Sequence, residues 1–481
     1  MDLKNLRGTA LEVGITFSAG SGFALFGYDQ GVFGGLLGNE SFIRTFNRPN
    51  AIIQGQITAT YDLGCFFGAI LTMFIGERLG RKKTIYAGCG ILIIGAILQC
   101  ASYSLAQMIV GRFVAGLGNG MNTSVIPVWQ SETSKAHHRG RLVVLQLVLN
   151  QSVSWRFPLA FQCFFAILTV IILPVLPESP RWLAMQGRYE EAKSVVARLL
   201  DELEDSQTVT NAYDLIANNV LHEMEMPDFT FAALFHNDAL QTARRILLGA
   251  GTQFMQQWGG INIINYYLPV VFASVGVPRR LAVILSGCNA INLMISTCIP
   301  AMYIETFGRK RMMLWGALVQ GICFVLVAAG LGVGGPQWSI VAIFFIFFYY
   351  TTFGLTWIAV PWLYPAEVNT QRMRNAGAAV ATATNWINNY IVVLVTPVGI
   401  STIGWRYYII YAAMNFAFVP IVWYFYIETA KLSLEEIDTL FEHKFRKGAQ
   451  PQGLDDLVHE PKDNSGIEGL KTGEVEDVKY V

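Results

Sequence analysis

The sequence predicts an all-α membrane protein built as two six-helix bundles, with twelve helices expected and about eleven of them complete. Three observations carry this. The 481 residues are 53% hydrophobic and only 14% charged, with a mean hydropathy of +0.41, whereas a soluble domain carries about 25% charge. Long apolar segments recur along the whole chain. A basic loop motif appears twice, at equivalent places in two halves. The 45 Gly, 31 Phe and 11 Trp fit the same class, because small residues let membrane helices approach and aromatics mark the interfaces. Net charge is zero, so bulk charge names no partner, and nothing points to nucleic acid.

The elements follow in order. "MDLKNLRGTA" leads into the apolar segment 11–34 without a cleavage-like site, so that segment reads as an uncleaved first helix. Segments 51–76, 84–104 and 106–130 come next. Then comes only a stub, Leu142 to Leu149, interrupted by Gln146, before segment 157–176. A crossing needs about 20 apolar residues, so the fifth helix is present in part. The polar stretch 184–245 has helical periodicity and reads as a surface domain between two membrane halves. Segments 246–274, 281–304, 312–331, 338–363, 376–399 and 405–427 complete the set. Beyond about residue 431 the chain is charged and poor in apolar residues, and largely disordered apart from a short helix in "LSLEEIDTLFEHKF". The expected domains are therefore an N-terminal bundle (1–183, its fifth helix truncated near 142–156), a helical linker (184–245), a C-terminal bundle (246–430) and a tail (431–481). All seven Cys fall in apolar runs and read as small buried hydrophobes.

Lys and Arg set the orientation. With a cytoplasmic N-terminus and the stub counted as a crossing, the inner loops hold Arg78, Arg81, Lys82, Lys83, Lys135, Arg139, Arg141, Arg309, Lys310, Arg311, Arg372 and Arg374. The outer loops hold Arg44, Arg48, Arg156, Arg279, Arg280 and Arg406. Without the stub crossing, every later loop changes side and the bias weakens. Both termini are then cytoplasmic.

"ERLGRKK" (77–83) recurs as "ETFGRKR" (305–311), and "SETSKAHHRG" (131–140) recurs as "AEVNTQRMRN" (366–375). "PESPRW" (177–182) has a weaker partner in "IETAKL" (427–432). Two similar halves of this kind are typical of transporters. The repeat also acts as a ruler: from Arg374 to Glu428 there are 54 residues, but from Arg139 to Glu178 only 39. The first half is short by about 15 residues, in the region of the stub.

The paired loops place acids and bases at helix ends, with Gly allowing a tight turn. Glu77, Arg81, Glu132, Arg139, Glu178, Arg181, Glu305, Arg309, Glu367, Arg374 and Glu428 form the expected cytoplasmic gate network; anchoring by positive charge alone is the plainer alternative. "GYDQG" (27–31) puts Asp29 inside the first segment, at a depth similar to Arg112 of the fourth. A carboxylate beside Arg⁺ has a lowered pKa that rises on separation, so the pair can couple protonation to movement; a static ion pair is the alternative. Asp62 is a second intramembrane acid, and an aqueous cavity is one setting for it.

"QFMQQWGGINIINYY" (253–267) sets Gln253, Gln256 and Gln257 on one helical face, then loosens the helix at Gly259 and Gly260 before Asn262. Amides donate and accept hydrogen bonds, which suits a neutral polyhydroxylated ligand. "PWLYP" (361–365) breaks a helix with two prolines, and "NWINN" (385–389) adds further amides. Helix-helix glue is the competing use of such amides.

Together "GYDQG", "GERLGRKK", "SETSKAHHRGR", "PESPRWL", "QQWGGIN", "ETFGRKR" and "PWLYPAE" resemble the sugar porter family of the major facilitator superfamily, most like its fungal hexose and disaccharide carriers, over about residues 15–440. The resemblance implies the major facilitator fold and alternating access. It implies that Asp29 couples proton to sugar with Arg112 as partner, and that Gln256, Gln257, Asn262, Asn292, Trp362 and Asn385 contact substrate. The expected partners are a monosaccharide or disaccharide, a proton and the lipid bilayer, with the plasma membrane as default location. No cofactor, metal or catalytic residue is expected. The chain departs from the family at "IETAK" (427–431), where the family has "PETKG", and at the short fifth helix. A facilitative carrier is the near alternative to a proton symporter. A non-transporting sugar sensor is the distant one, and it would favour a tail longer than the roughly 50 residues here.

Overall fold

The computed structural model describes residues 6–36, 40–133, 156–224, 241–274, 276–370 and 373–432, with 436–437 and 439–441. The stub at 142–149 and Arg139 lie outside the described residues, as does the tail beyond 441; the side chains of Asp29 and Glu77 are likewise outside them.

The first set of helices is α1 (Gly8–Leu36), the short α2 (Glu40–Thr45), α3 (Ala51–Leu79), α4 (Arg81–Cys100), α5 (Leu105–Thr133) and α6 (Arg156–Ile172). Three smaller helices follow: α7 (Pro180–Met185), α8 (Tyr189–Leu200) and α9 (Gln207–Met224). The second set is α10 (Thr242–Trp258), α11 (Ile261–Ser274), α12 (Arg279–Cys298), α13 (Pro300–Phe307), α14 (Arg309–Val333), α15 (Pro336–Leu355), α16 (Val360–Val368), α17 (Arg374–Ile403) and α18 (Arg406–Phe425). Among the described residues, seven stretches are long and apolar enough to cross a bilayer, from Ile52–Gly76 to Arg406–Phe425.

The helices start where the sequence offers caps. Asn50 accepts from the Ile53 amide at 2.9 Å to open α3, and Ser179 accepts from the Trp182 amide with Pro180 in the first turn of α7. Within the first set α3 and α4 pack on α5, and α6 packs on α4 and α1. The α3–α5 seam has almost no room: a Cβ on Gly64 or Gly68 would sit 2.2 Å from the Phe113 or Leu117 carbonyl oxygen. In the second set α14 packs on α15 and α18, and α10 packs on α17. The two sets meet along α3 against α17 and α1 against α11.

Three apolar segments that the sequence shows as continuous are broken. The first divides at Gly259–Gly260, as the glycines predict, with Gly260 at φ +95°. The second divides at Ile299, before Pro300. The third divides at residues 356–359, ahead of "PWLYP" rather than at it. Proline lacks only a donor that a first helical turn leaves unused, so Pro361 starts α16 instead of breaking it. The seven Cys are all free. Cys65, Cys89 and Cys323 are buried as expected, but Cys288 is exposed and Cys100, Cys163 and Cys298 are intermediate. Every side of a membrane helix is apolar, so sequence alone does not separate the packed face from the outer one.

Candidate functional site

The two breaks at Gly259–Gly260 and 356–359 lie side by side, and side-chain amides stitch them together. The Gln256 amide nitrogen donates to the Trp357 carbonyl at 2.8 Å, and Gln253 donates to the Pro361 carbonyl at 2.8 Å. The Gly259 carbonyl, freed by the first break, accepts from the Tyr349 hydroxyl at 2.9 Å and from Asn415 at 3.1 Å. Broken helices inside a bundle survive because other groups take up the freed backbone polar atoms. Gly260 is required at its break: its φ is left-handed, and a Cβ there would lie 2.5 Å from the Phe324 ring.

Gln257 is the hub of the polar cluster. Its amide nitrogen donates to Asn385 of α17, and its oxygen accepts from Asn262 of α11. Gln256, Gln257, Asn262 and Asn385 are all nearly buried. Asn385 Nδ2, Asn389 Oδ1 and Gln253 Oε1 have no hydrogen-bond partner. Buried amides with unused donors and acceptors in one neighbourhood are suited to hydroxyl groups, each of which both donates and accepts.

Trp362, on α16, packs with Val125, Ile126 and Trp129 of α5, so it reaches across to the first set of helices. Trp386 crosses the same way, its indole N–H donating to Thr123 at 3.2 Å. Asn292 stands apart from the Gln257 cluster and donates to the Asn289 amide oxygen at 3.3 Å. It donates to the Phe347 carbonyl at 3.0 Å and accepts from Thr351 at 3.0 Å, both on α15, and no hydrogen bond links it to the Gln257 cluster.

Arg112 is fully buried on α5. It donates to the Ile57 and Thr58 carbonyls at 3.2 and 2.8 Å, and its guanidinium lies 4.6 Å from the centre of the Tyr61 ring. Asp29 belongs to α1, with its side chain outside the described residues. Asp62 has no access to an aqueous cavity. It is fully buried and accepts from Asn389 at 3.2 Å and from Tyr266 at 3.5 Å.

The charged motifs gather at one end of both helix sets. Arg81 grips Glu132 with two parallel bonds of 2.9 and 2.8 Å. It also donates to Asn375 of the second set at 3.2 Å, a partner that the sequence motifs did not single out. Arg309 holds two acids, Glu305 and Glu367, with four bonds between 2.7 and 3.2 Å. Thr429 adds a bond to Glu367 at 2.7 Å. The weak sequence repeat recurs in its contacts, with one amide bond in the first half and two in the second. Glu178 accepts from the Lys82 amide at 3.1 Å, beside the positive-φ turn at Gly80. Glu428 accepts from the Arg309 and Lys310 amides at 2.7 and 3.0 Å, beside the same turn at Gly308. Each carboxylate thus caps a helix N-terminus. Burial pushes the Glu178 carboxyl up, against the lowering effect of the Ser179 and Lys82 amides and the Arg81 and Lys82 charges. Arg181 lies within electrostatic reach of Glu132. Arg374 begins α17 and is nearly buried.

The model of the family described as "Sugar (and other) transporter" matches residues 15–441. The chain is 42% identical to the MFS-type transporter oryC of Aspergillus oryzae, over 91% of this chain and 86% of that one. It is 37% identical to the sugar transporter STL1 of Saccharomyces cerevisiae, over 98% of this chain and 87% of that one. Its fold matches the proton:xylose symporter XylE bound to 6-bromo-6-deoxy-D-glucose with a TM-score of 0.79, at 24% identity, covering 90% of this chain and all of that one. The all-α architecture is therefore the major facilitator fold, and the chain is a multi-pass integral membrane protein of a transporter family, not an enzyme. By motif, by full-length match and by fold, the chain belongs to the sugar porter family of the major facilitator superfamily.

Proposed function

We propose that this protein is a proton-coupled symporter of a hexose or disaccharide, working by alternating access between a bundle of about residues 1–183 and one of about 246–430. The observation that carries the reading is the Gln257 cluster: four nearly buried amides on α10, α11 and α17, at a helix break, with spare donors and acceptors close by. Such a set recognises a neutral polyol better than an ion, which would demand a compensating charge. Gln256, Gln257, Asn262 and Asn385 hold the sugar in this reading, with Trp362 covering it from α16; Asn292 braces α12 against α15. The yeast relative named a sugar transporter and the fold neighbour named a proton:xylose symporter support the same class.

Asp29 and Arg112 carry the proton coupling in this reading. The basic end faces the cytoplasm, with the linker 184–245, the tail 431–481 and both termini, and the membrane is the plasma membrane. The network of Glu77, Arg81, Glu132, Arg139, Glu178, Arg181, Glu305, Arg309, Glu367, Arg374 and Glu428 locks and releases the cytoplasmic end. The short fifth segment limits transport by this form. In support, matching motifs lie 39 residues apart from Arg139 to Glu178 but 54 apart from Arg374 to Glu428.

The coupling has a direct test. Asp29→Asn is expected to abolish uptake against a sugar gradient at acidic external pH while leaving exchange of sugar down its gradient. Concentrative uptake that survives the substitution would remove Asp29 from the coupling and favour another acid.

A further inference from the structure

Among the described residues, the end of the molecule opposite the charged clusters holds a buried acid, Asp62, among apolar side chains. Ile57 and Ala59 of α3, Met108 of α5 and Leu159 of α6 pack with Tyr266 and Tyr267 of α11 and Val393 of α17. This cluster closes one helix set against the other. Asp62 lies on α3, one turn further in than Thr58 and Ala59, and is fully buried. Its Oδ1 accepts from Asn389 Nδ2 at 3.2 Å and from the Tyr266 hydroxyl at 3.5 Å. Both donors belong to the second set of helices, and Asp62 belongs to the first. Other ionisable groups face it from neighbouring elements. Arg112 of α5 is bound one turn away to the Ile57 and Thr58 carbonyls, above the Tyr61 ring. Tyr267 lies beside Tyr266 on α11, within electrostatic reach of Asp62. From α17 comes the Asn389 amide.

A carboxylate out of water is tolerated only while hydrogen bonds serve it. Here some of those bonds come from the opposite bundle, so they exist only while this end is closed. We propose that Asp62 is a positioning residue that latches this end shut, by holding Tyr266 and Asn389 across the bundle interface. Opening breaks both bonds and hydrates the carboxylate. Asp62 thereby sets how often the end opens, a role separate from sugar contact and from the Asp29–Arg112 pair. The inference rests on the reading of the chain as an alternating-access carrier.

The test uses the purified full-length chain in detergent, so neither membrane orientation nor transport enters the readout. Ala59→Cys places a thiol inside the closing cluster. The rate of its modification by a charged methanethiosulfonate, above the background of the native cysteines in the parent chain, reports opening. Asn389→Asp sets two carboxylates face to face and is expected to raise the rate roughly tenfold or more. Asp62→Ala is expected to raise it by a similar factor. The exchange Asp62→Asn with Asn389→Asp restores one acid and one amide, and should return the rate to within about twofold of the parent. Unchanged rates in the single variants, or an exchange no closer to the parent than they are, would overturn the proposal. So would variants that fail to fold, which would mark Asp62 as a static anchor. Absent sugar uptake leaves this result standing, because the labelling rate does not depend on transport.

Discussion

Gln257→Leu is expected to raise the sugar concentration for half-maximal uptake by roughly 10-fold to 100-fold, at unchanged surface expression. Leucine keeps the approximate volume and removes both hydrogen-bonding ends. Asn385 then loses the donor at its oxygen, and Asn262 loses the acceptor for its nitrogen. A buried amide left unmatched costs about 1–3 kcal/mol, and every 1.4 kcal/mol is about tenfold in affinity. The loss falls on orientation as well as on contact, because Gln257 aligns the Asn262 and Asn385 amides of α11 and α17 that the proposed site uses. Concentration-dependent uptake of labelled sugar measures it. An unchanged half-saturation value would show that the cluster is internal bracing between helices.

Arg309→Ala has the larger expected effect on stability. The Arg309 side chain is only 2% exposed, and it neutralises Glu305 and Glu367 together. Removing it leaves two carboxylates near each other without the guanidinium they share, and breaking such a buried pair costs about 3–5 kcal/mol. The apparent melting temperature of purified protein should fall by on the order of 5 °C or more. Arg309→Lys is expected to recover less than half of the loss, because an ammonium cannot reproduce the forked bonds to two acids. Arg81→Ala removes the forked partner of Glu132 and also the Asn375 contact between the two helix sets. A melt unchanged by Arg309→Ala would show that the network is not closed in solution.

Much of this was written in local spacing. The repeated "GRK" turns place Gly80 and Gly308 at positive φ, and the acids at 178 and 428 find the helix ends that those turns create. Gln256, Gln257 and Asn262 were legible because helical spacing and two glycines act over a few residues. Other features depend on partners far away in sequence. Asn389 lies 327 residues from Asp62, and no periodicity in a mostly apolar helix says which residue on another helix it meets. Asn292 has the right residue type on the right helix, but the rotation of α12 directs it to α15. The break near residue 356 carries no proline of its own, and it is Gln256, a hundred residues earlier, that takes up its carbonyls.

In the proposed function this chain carries a neutral polyhydroxylated solute through the Gln257 cluster, at a rate limited by its short fifth segment. The most direct measurement is labelled uptake of a panel of hexoses, disaccharides and smaller polyols, in cells stripped of their own carriers. It compares three chains at matched surface expression: the protein itself, a form lengthened by about 15 residues to complete the fifth helix, and that form with Gln257→Leu. Uptake of at least one solute by the lengthened form is expected, with less by the protein itself and little by the Gln257→Leu form. Uptake indifferent to Gln257, or none of any solute by either of the first two chains, would contradict it.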